Sequence, residues 1–483
     1  MVMRQESSND ILFGTDGWRG LLDRQLNAAN VARVAQAFAE YLKDADKDSP
    51  DLKVAVGYDG RHRSDEFAGI FARVLAGNNI GVFLSDSVVP TPVLSFQTIH
   101  EHCHAGVMVT ASHNPPQYNG IKFKSSAGAP LVTEETQKVE GFLDISTPKE
   151  DDRKIKPVDF MEGYRQQLEQ LIDFDAITRS GLHIAIDSMA GAGADILTRM
   201  LKDHGIPCEG IYQQPSTDFQ GRQAEPIEKN LDPLSQLLKE GRFSLGMATD
   251  GDADRLGVMT DRGEWMNIQE TILALARYVK QEKKLDGGIV KTLSVTDKLI
   301  QLAQDEKAEF RDVQVGFKYV AEAMMDLHAA FGAEESGGFG FGHHIPERDG
   351  IFSALLFAEM VAASGYKSLT DFIENQRLQW GRVFYDRRDL EYTGADRMEL
   401  LPELYRQPPE KVGGYRVKEL LHHHTSRGVI NSLKLYLEGY PRWLLIRISE
   451  TEPVVRIYAE GQNHQEVQQL LTEARRMMNI ETQ

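Results

Sequence analysis

Three carboxylates at alternate positions, Asp250, Asp252 and Asp254 in "TDGDADR", carry the clearest chemical signature in this 483-residue chain. In an extended loop, side chains at i, i+2 and i+4 point the same way, so the three can converge on one hard cation. A calcium EF-hand is excluded, because its sixth position needs Gly and holds Arg255, and its twelfth needs Glu and holds Asp261. Three carboxylates suit Mg²⁺, which shares its coordination shell with substrate phosphates. The competing reading is a solvated acidic turn.

A second candidate is Ser112, at the end of the apolar run "AGVMVTASHNP". It lacks the G-x-S-x-G frame of a hydrolase elbow. A serine hydroxyl is a weak nucleophile and needs activation. His113 beside it and Lys122, in "YNGIKFK", are the candidate partners. A hydroxyl that only bonds its own loop backbone fits the same letters. In "RISETEPVVR", Arg447, Ser449, Thr451 and Arg456 offer two guanidinium forks and two hydroxyls to a phosphate. With Glu450 and Glu452 they could equally form a salt-bridged surface turn. "GAEESGGFGFGHHIPERDG" places Glu334, Glu335 and Ser336 before a run of glycines that admit close backbone approach, where Glu and Ser suit sugar hydroxyls. His343, His344 and Arg348 follow, and Lys318 in "VGFKY" is a point charge for phosphate.

These residues sit where short apolar runs end. "LKVAVGYDGR", "AGVMVTASHNP", "GLHIAIDSMAGAGADIL", "FSLGMATDGDADR" and "GGIVKTLSVTD" each read as a strand breaking at a turn, and amphipathic stretches such as 65–78 and 349–362 read as helices. This alternation predicts mixed or mostly parallel α/β sheets, whose ligands gather beyond the carboxyl ends of the strands. The last hundred residues differ, with strands within 443–461 and a closing helix over 464–477, and predict a smaller α+β domain. Joints are expected in 145–157, soon after Asp261 and near 365–381, giving domains over 1–150, 151–261, 262–375 and 376–483.

Composition bounds the rest. A chain of this length exceeds one hydrophobic core. A formal charge of −18 disfavours nucleic acid as the main ligand, while local arginines still permit a small phosphorylated one. Two cysteines, Cys103 and Cys208, give no disulfide framework. No run of about 18 apolar residues and no signal-peptide core appears. The expectation is a cytoplasmic protein with no membrane partner, a monomer or homodimer.

Five segments, in order, resemble the α-D-phosphohexomutase superfamily, the phosphoglucomutase and phosphomannomutase enzymes: "GTDGWRG" at 14–20, "TASHNP" at 110–115, "DGDADR" at 250–255, "AEESGG" at 333–338 and "RISETEP" at 447–453. The resemblance implies four domains around a central cleft, each contributing one loop. It implies a phosphoserine at Ser112, and Mg²⁺ held by Asp250, Asp252, Asp254 and the Ser112 phosphate. Lys122 matches a general acid or base and Arg19 an arginine beside the phosphoserine; His113 is counted with the catalytic group. Arg255, Lys318, Glu334, Ser336, His344 and Arg348 are the implied sugar contacts, and Arg447, Ser449, Thr451 and Arg456 the implied phosphate site. The implied reaction interconverts hexose 1-phosphate and hexose 6-phosphate through a hexose 1,6-bisphosphate that also serves as activator.

The sugar loop departs from the E-M-S-G-H of many bacterial phosphomannomutase/phosphoglucomutases, with Gly338 at the histidine position. "HIPERDG" at 344–350 resembles the glucose-specific branch instead. Glucose is therefore the first expectation, mannose the second and glucosamine the third. Other functions compatible with these segments are a glucose 1,6-bisphosphate synthase, a non-catalytic sugar-phosphate sensor and a metal-dependent phosphohydrolase. "HEHCH" at 100–104 reads as a helix end rather than a metal cluster, and "HHH" at 422–424 as solvated.

Overall fold

Runs such as Val54–Val56 and Val107–Val109 bury on both faces, which only a strand covered by helices on each side allows. The computed structural model describes residues 11–480 except 15, 48, 50, 395, 426, 427, 450–452 and 479. Thr451 therefore lies outside the described residues. The described chain forms four sheets, each built from a consecutive stretch of sequence.

The first sheet has six strands in the order Trp18–Leu21, Tyr118–Ser125, Ala105–Val109, Lys53–Tyr58, Gly81–Ser85, Ile155–Val158. Its last four strands run parallel, and its edge strand is drawn from beyond residue 150. Helices Ala28–Ala45 and Ser64–Gly77 bury Phe38 and Phe71 against one face, where Phe38 stacks on Phe123 with ring centroids 4.1 Å apart. Helix Thr91–His100 covers the other face, and His100 in "HEHCH" closes that helix.

The second sheet runs Leu256–Thr260, Leu245–Thr249, Ile184–Asp187, Cys208–Ile211, and the third Phe310–Val313, Ile289–Thr292, Phe331–Ala333, Phe339–Phe341. Each mixes parallel pairs with one antiparallel edge strand. The helix Gly350–Ala363, "GIFSALLFAEMVAA", is apolar around its whole circumference and is buried from Gly350 through Val361. A helix without a polar face belongs inside a core. Here it joins the second and third units and one face of the first into a continuous apolar cluster, from Ala55 and Met108 to Phe372 and Ile373. Three loops are thus carried on one packed body.

The fourth sheet is antiparallel throughout: Phe384–Glu391, Val454–Gly461, Trp443–Ile448, Ile430–Leu437, Tyr415–His424, Lys411–Val412. It has its own core, in which Leu470 and Leu471 of helix His464–Met477 pack on Leu433, Ile446 and Ile457. A buried polar cluster joins it to the third unit: Glu460 accepts from Thr296 Oγ1 at 2.6 Å and Trp443 Nε1 at 2.6 Å, and Lys434 reaches Asp297 at 3.0 Å. "HHH" departs from the solvated expectation. It ends the strand Tyr415–His424, with His422 and His423 half-buried and only His424 exposed, and burial lowers the His423 pKa.

Candidate active site

The strand Ala105–Val109 is buried at every position and delivers Ser112 three residues beyond its end. Ser112 is 1% exposed and has φ +52°, a left-handed conformation that costs a non-glycine residue on the order of 1 kcal/mol. Its Oγ lies 3.0 Å from Asp250 Oδ2 and 3.2 Å from His113 Nδ1. Burial, then Arg255 and Arg19, hold the His113 imidazole well below its ordinary pKa, so it is neutral and able to accept a proton.

The strand Leu245–Thr249 ends in the acidic turn. Asp250, Asp252 and Asp254 are fully buried, and each offers one carboxylate oxygen within 4.8 Å of the others. Two oxygens, Asp252 Oδ1 and Asp254 Oδ1, are buried with no hydrogen-bond partner. Buried carboxylate oxygens without donors are costly. Their convergence is the condition a hard cation satisfies, so the residues fit a divalent ion. Like charges also leave their mark: burial, then Asp254 and Asp252, push the Asp250 carboxyl well above its ordinary range. Asp252 goes the other way: burial opposes its charge, but Lys122, Thr91 and Arg348 together outweigh burial and lower its pKa.

The serine and the acidic turn press together at Gly251. A Cβ at that position would clash with the Ser112 carbonyl oxygen, so a side chain there would separate the loops. The glycine-rich turn "SMAGAGA" backs the acidic turn, with the Ala192 N–H donating to the Gly251 carbonyl at 2.9 Å.

Lys122, on the adjacent strand Tyr118–Ser125, is 1% exposed and lies 2.8 Å from Asp252 Oδ2, 3.3 Å from Asp254 Oδ2 and 2.9 Å from Asp16 Oδ2. Burial opposes its charge, but the three carboxylates outweigh burial and raise its pKa, so it is held as an ammonium. Asp16 also pairs with Arg348 at 2.9 Å and Arg19 at 3.5 Å, and Arg19 donates to Asn114. Arg348 reaches Asp254 at 2.7 Å and Glu334 at 3.1 Å. Its side chain also fills the space beside Gly338, where a Cβ would clash with Arg348 Cδ. The glycine that replaces the histidine of related loops thus makes room for the arginine.

Asp16, Arg19, His113 and Arg348 of this group line a cleft of about 620 Å³ to which all four units contribute, while Ser112, Lys122 and the acidic triad are buried behind that lining. Arg19 and His113 come from the first, Arg255 from the second, Lys318, Glu334, Ser336 and Arg348 from the third, and Arg387, Arg447, Ser449 and Arg456 from the fourth. Burial raises the Glu334 carboxyl above its ordinary range despite Arg348. Ser336 Oγ is buried with no hydrogen-bond partner. Lys318 Nζ donates to Thr133 Oγ1 at 2.6 Å. Seven cations (Arg19, Arg255, Lys318, Arg348, Arg387, Arg447, Arg456) face four carboxylates (Asp16, Glu225, Glu334, Glu335) on this wall, inverting the charge balance of an acidic chain. Such a wall attracts anions.

One expected contact is not brought here. His344 is turned away from the cleft: its Nε2 lies 2.8 Å from Asp349 Oδ2, its side chain is 1% exposed, and its ring lies 4.6 Å from that of Phe352. Asp349 caps the helix Gly350–Ala363 and draws the imidazole into the core. Several residues in and behind the cleft wall are not marked as functional by sequence alone. Asp16 stands three residues before Arg19, and Arg387 lies in a stretch of sequence with no motif of its own, on a strand paired with the one that carries Arg456. Glu347 pairs with Lys124, on the strand that carries Lys122. Thr91 donates to Asp252 Oδ2 at 2.6 Å, and Arg61 lies under the serine loop. Sequence signals existed for Asp16, in "GTDGWRG", for Glu347, in "HIPERDG", and for Arg61, in the "YDGR" that breaks a strand.

A cleft wall rich in arginine and a serine beside an acidic triad, carried on four successive α/β and α+β units, are the features of an intramolecular phosphotransferase. Four family profiles match the chain. The phosphoglucomutase/phosphomannomutase alpha/beta/alpha domains I, II and III match residues 10–149, 162–263 and 267–378, and the C-terminal domain matches 401–477. A solved structure from Thermus thermophilus, described as a phosphomannomutase, is 33% identical with a TM-score of 0.82, covering 98% of this chain and 100% of its own. A phosphoglucomutase/phosphomannomutase of Thermococcus kodakarensis is 27% identical over 95% of this chain and 96% of its own length. A phosphoglucomutase of Staphylococcus aureus strain MRSA252 is 28% identical over 94% and 90%. The chain belongs to the α-D-phosphohexomutase superfamily. Its activity is that of a phosphohexomutase, an isomerase acting on sugar phosphates. Among the described residues, no helix is long and apolar enough to cross a membrane.

Proposed function

We propose that the protein is a Mg²⁺-dependent phosphohexomutase that prefers glucose phosphates, accepts mannose phosphates, and carries the transferring phosphoryl group on Ser112. The observation that carries this reading is Ser112 Oγ, 3.0 Å from Asp250 Oδ2, at a buried triad with two partnerless carboxylate oxygens. Asp250, Asp252 and Asp254 would hold Mg²⁺ through one oxygen each. Bound there, the ion supplies neutralisation of charge on the phosphoryl oxygens.

The protein's residues supply positioning and proton placement, which phosphoryl transfer chiefly needs. In the first half-reaction a sugar hydroxyl oxygen bonds the phosphorus, the Ser112 Oγ–phosphorus bond breaks, the sugar hydroxyl proton passes to the enzyme, and Oγ takes up a proton. The second half-reaction reverses these events at the other end of the sugar. The neutral His113 imidazole, 3.2 Å from Oγ, takes the sugar hydroxyl proton and hands it to Oγ as the serine is released, and Lys122, held as an ammonium, offsets the charge that builds on the transferring oxygens. Arg19 orders the serine loop through Asn114.

Glu334 and Ser336 take the sugar hydroxyls, flanked by Arg348, Arg255 and Lys318. Arg447, Ser449 and Arg456, with Thr451 in the same turn, hold the phosphate that is not reacting. One fixed phosphate site serves both orientations of the bisphosphate, so the intermediate can turn without a second site. The glucose preference rests on "HIPERDG" and on the Arg348 side chain packed over Gly338.

The test incubates the protein with Mg²⁺, glucose 1-phosphate and a trace of glucose 1,6-bisphosphate. Glucose 6-phosphate forming with the bisphosphate level unchanged supports the mutase. Net bisphosphate accumulation from a bisphosphate donor would make it a synthase, and no turnover would leave a sensor.

A further inference from the structure

We infer that Arg61, acting with Asp59, is a positioning residue that sets the conformation of the phosphoryl-carrying serine; the inference rests on the assignment of Ser112 made above. The loop after Ser112 reads "SHNPPQY", and Pro115 and Pro116 remove two backbone donors from a turn whose carbonyls still need partners. One guanidinium supplies them. Arg61 Nη2 donates to the Ser112 carbonyl at 2.5 Å and the Asn114 carbonyl at 2.6 Å, and Nη1 donates to Pro115 and Tyr118 at 3.1 and 2.9 Å. Only a planar fork can serve four acceptors from one side chain.

Asp59 closes the arrangement. Its carboxylate lies 3.3 Å from Arg61 Nε, accepts from Ser64 Oγ at 2.7 Å, and accepts from Thr110 Oγ1 at 2.6 Å. The Thr110 oxygen in turn accepts from the Ser112 N–H at 2.9 Å. The pair therefore grips both polar backbone atoms of Ser112, the N–H through Thr110 and the carbonyl through Arg61. That grip holds the residue at φ +52° and aims Oγ at Asp250. The arrangement also spans domains. The Arg61 guanidinium lies 4.7 Å from the Phe219 ring, and that ring abuts Gly251 in the acidic turn. Arg61 is 3% exposed, and both of its terminal nitrogens are taken up by carbonyls of the serine loop and the strand after it.

Steady-state kinetics of Arg61→Lys, read with the phosphate content of Ser112 by peptide mass spectrometry, tests this. The lysine keeps the charge but loses the fork. We expect kcat to fall about 10²-fold, as for an ångström-scale misplacement of a reacting group, with KM for glucose 1-phosphate within about threefold and an unchanged circular dichroism spectrum. Should Arg61→Lys fail to fold, Asp59→Asn, which keeps the guanidinium, carries the same expectation. A kcat within about threefold of wild type, in an enzyme that does carry phosphate on Ser112, overturns the positioning role while leaving the phosphoserine assignment intact. A loss expressed in KM alone also overturns it. Wild-type turnover with no phosphate on Ser112 defeats both.

Discussion

Lys124 and Glu347 form an ion pair whose two side chains are both 0% exposed, joining the strand that carries Lys122 to the segment that carries Arg348. The second Glu347 oxygen accepts from the Arg348 N–H at 2.9 Å. Removing one partner of such a pair strands a charge away from water and costs about 3–5 kcal/mol, whereas removing both charges costs far less. Lys124→Met strands a carboxylate and Glu347→Gln strands an ammonium. The double variant strands neither, and the glutamine amide oxygen still accepts from the Arg348 N–H. For a unit of this size each kcal/mol moves the melting temperature by about 2–4 °C, so each single variant should lose roughly 6–20 °C. The assay is calorimetry on the four proteins of the double-mutant cycle, following the transition that contains the first and third sheets. The double variant should melt well above the sum of the two single losses, with a coupling of at least about 2 kcal/mol. Additive losses, or a Lys124→Met loss under about 1 kcal/mol, would refute the claim that this pair is a desolvated lock on the strand that carries Lys122.

Three further outcomes are expected. Asp252→Asn should raise the Mg²⁺ concentration for half-activation by more than the roughly 10- to 100-fold typical of an outer-shell change, and lower kcat with it; an unchanged metal titration would contradict the triad as ligands. Gly251→Ala places a Cβ against the Ser112 carbonyl and should cost about 10²-fold in kcat with the fold intact by circular dichroism, while wild-type kinetics would show that the two loops are not in register as described. His343 is half-buried, and that burial, then His344 and Lys283, lower its pKa to about 4 from an ordinary 6.5. The folded protein thus binds this proton more weakly than the unfolded chain. The stabilisation, up to about 3 kcal/mol, is present above pH ~6.5 and is lost as pH falls toward ~4. Melting curves of His343→Leu should be flatter than wild type across that window, and an identical slope would contradict the assignment.

The sequence located what chemistry concentrates in a few letters. Asp250, Asp252 and Asp254 alternate after a buried strand, and a loop of that length converges them whatever the rest of the chain does. Ser112 and the glycine-rich sugar loop were legible for the same reason, since they follow apolar runs that stop at turns. The mixed sheets and a smaller C-terminal α+β unit followed from the spacing of those runs; the antiparallel pairing of that last sheet did not. Long-range partnerships were not legible. Asp16 reaches Lys122, and reaches Arg348 across 332 positions, while Lys124 reaches Glu347 across 223. Each is an ordinary charged residue until the fold buries it. His344 shows the opposite failure. It sits beside Arg348 in a suggestive string, but the helix cap at Asp349 offered it a nearer partner than any sugar. The Gly338 departure became intelligible only with coordinates, because the side chain that fills its space comes from Arg348, further along the loop.

The most direct test of the account is mass spectrometry of the Ser112 peptide from enzyme quenched during turnover of glucose 1-phosphate with Mg²⁺ and a trace of the bisphosphate. One phosphoryl group is expected on Ser112 in wild type, and Ser112→Ala should lose nearly all activity together with that modification. Full turnover by a wild-type enzyme that never carries phosphate on this side chain would contradict it.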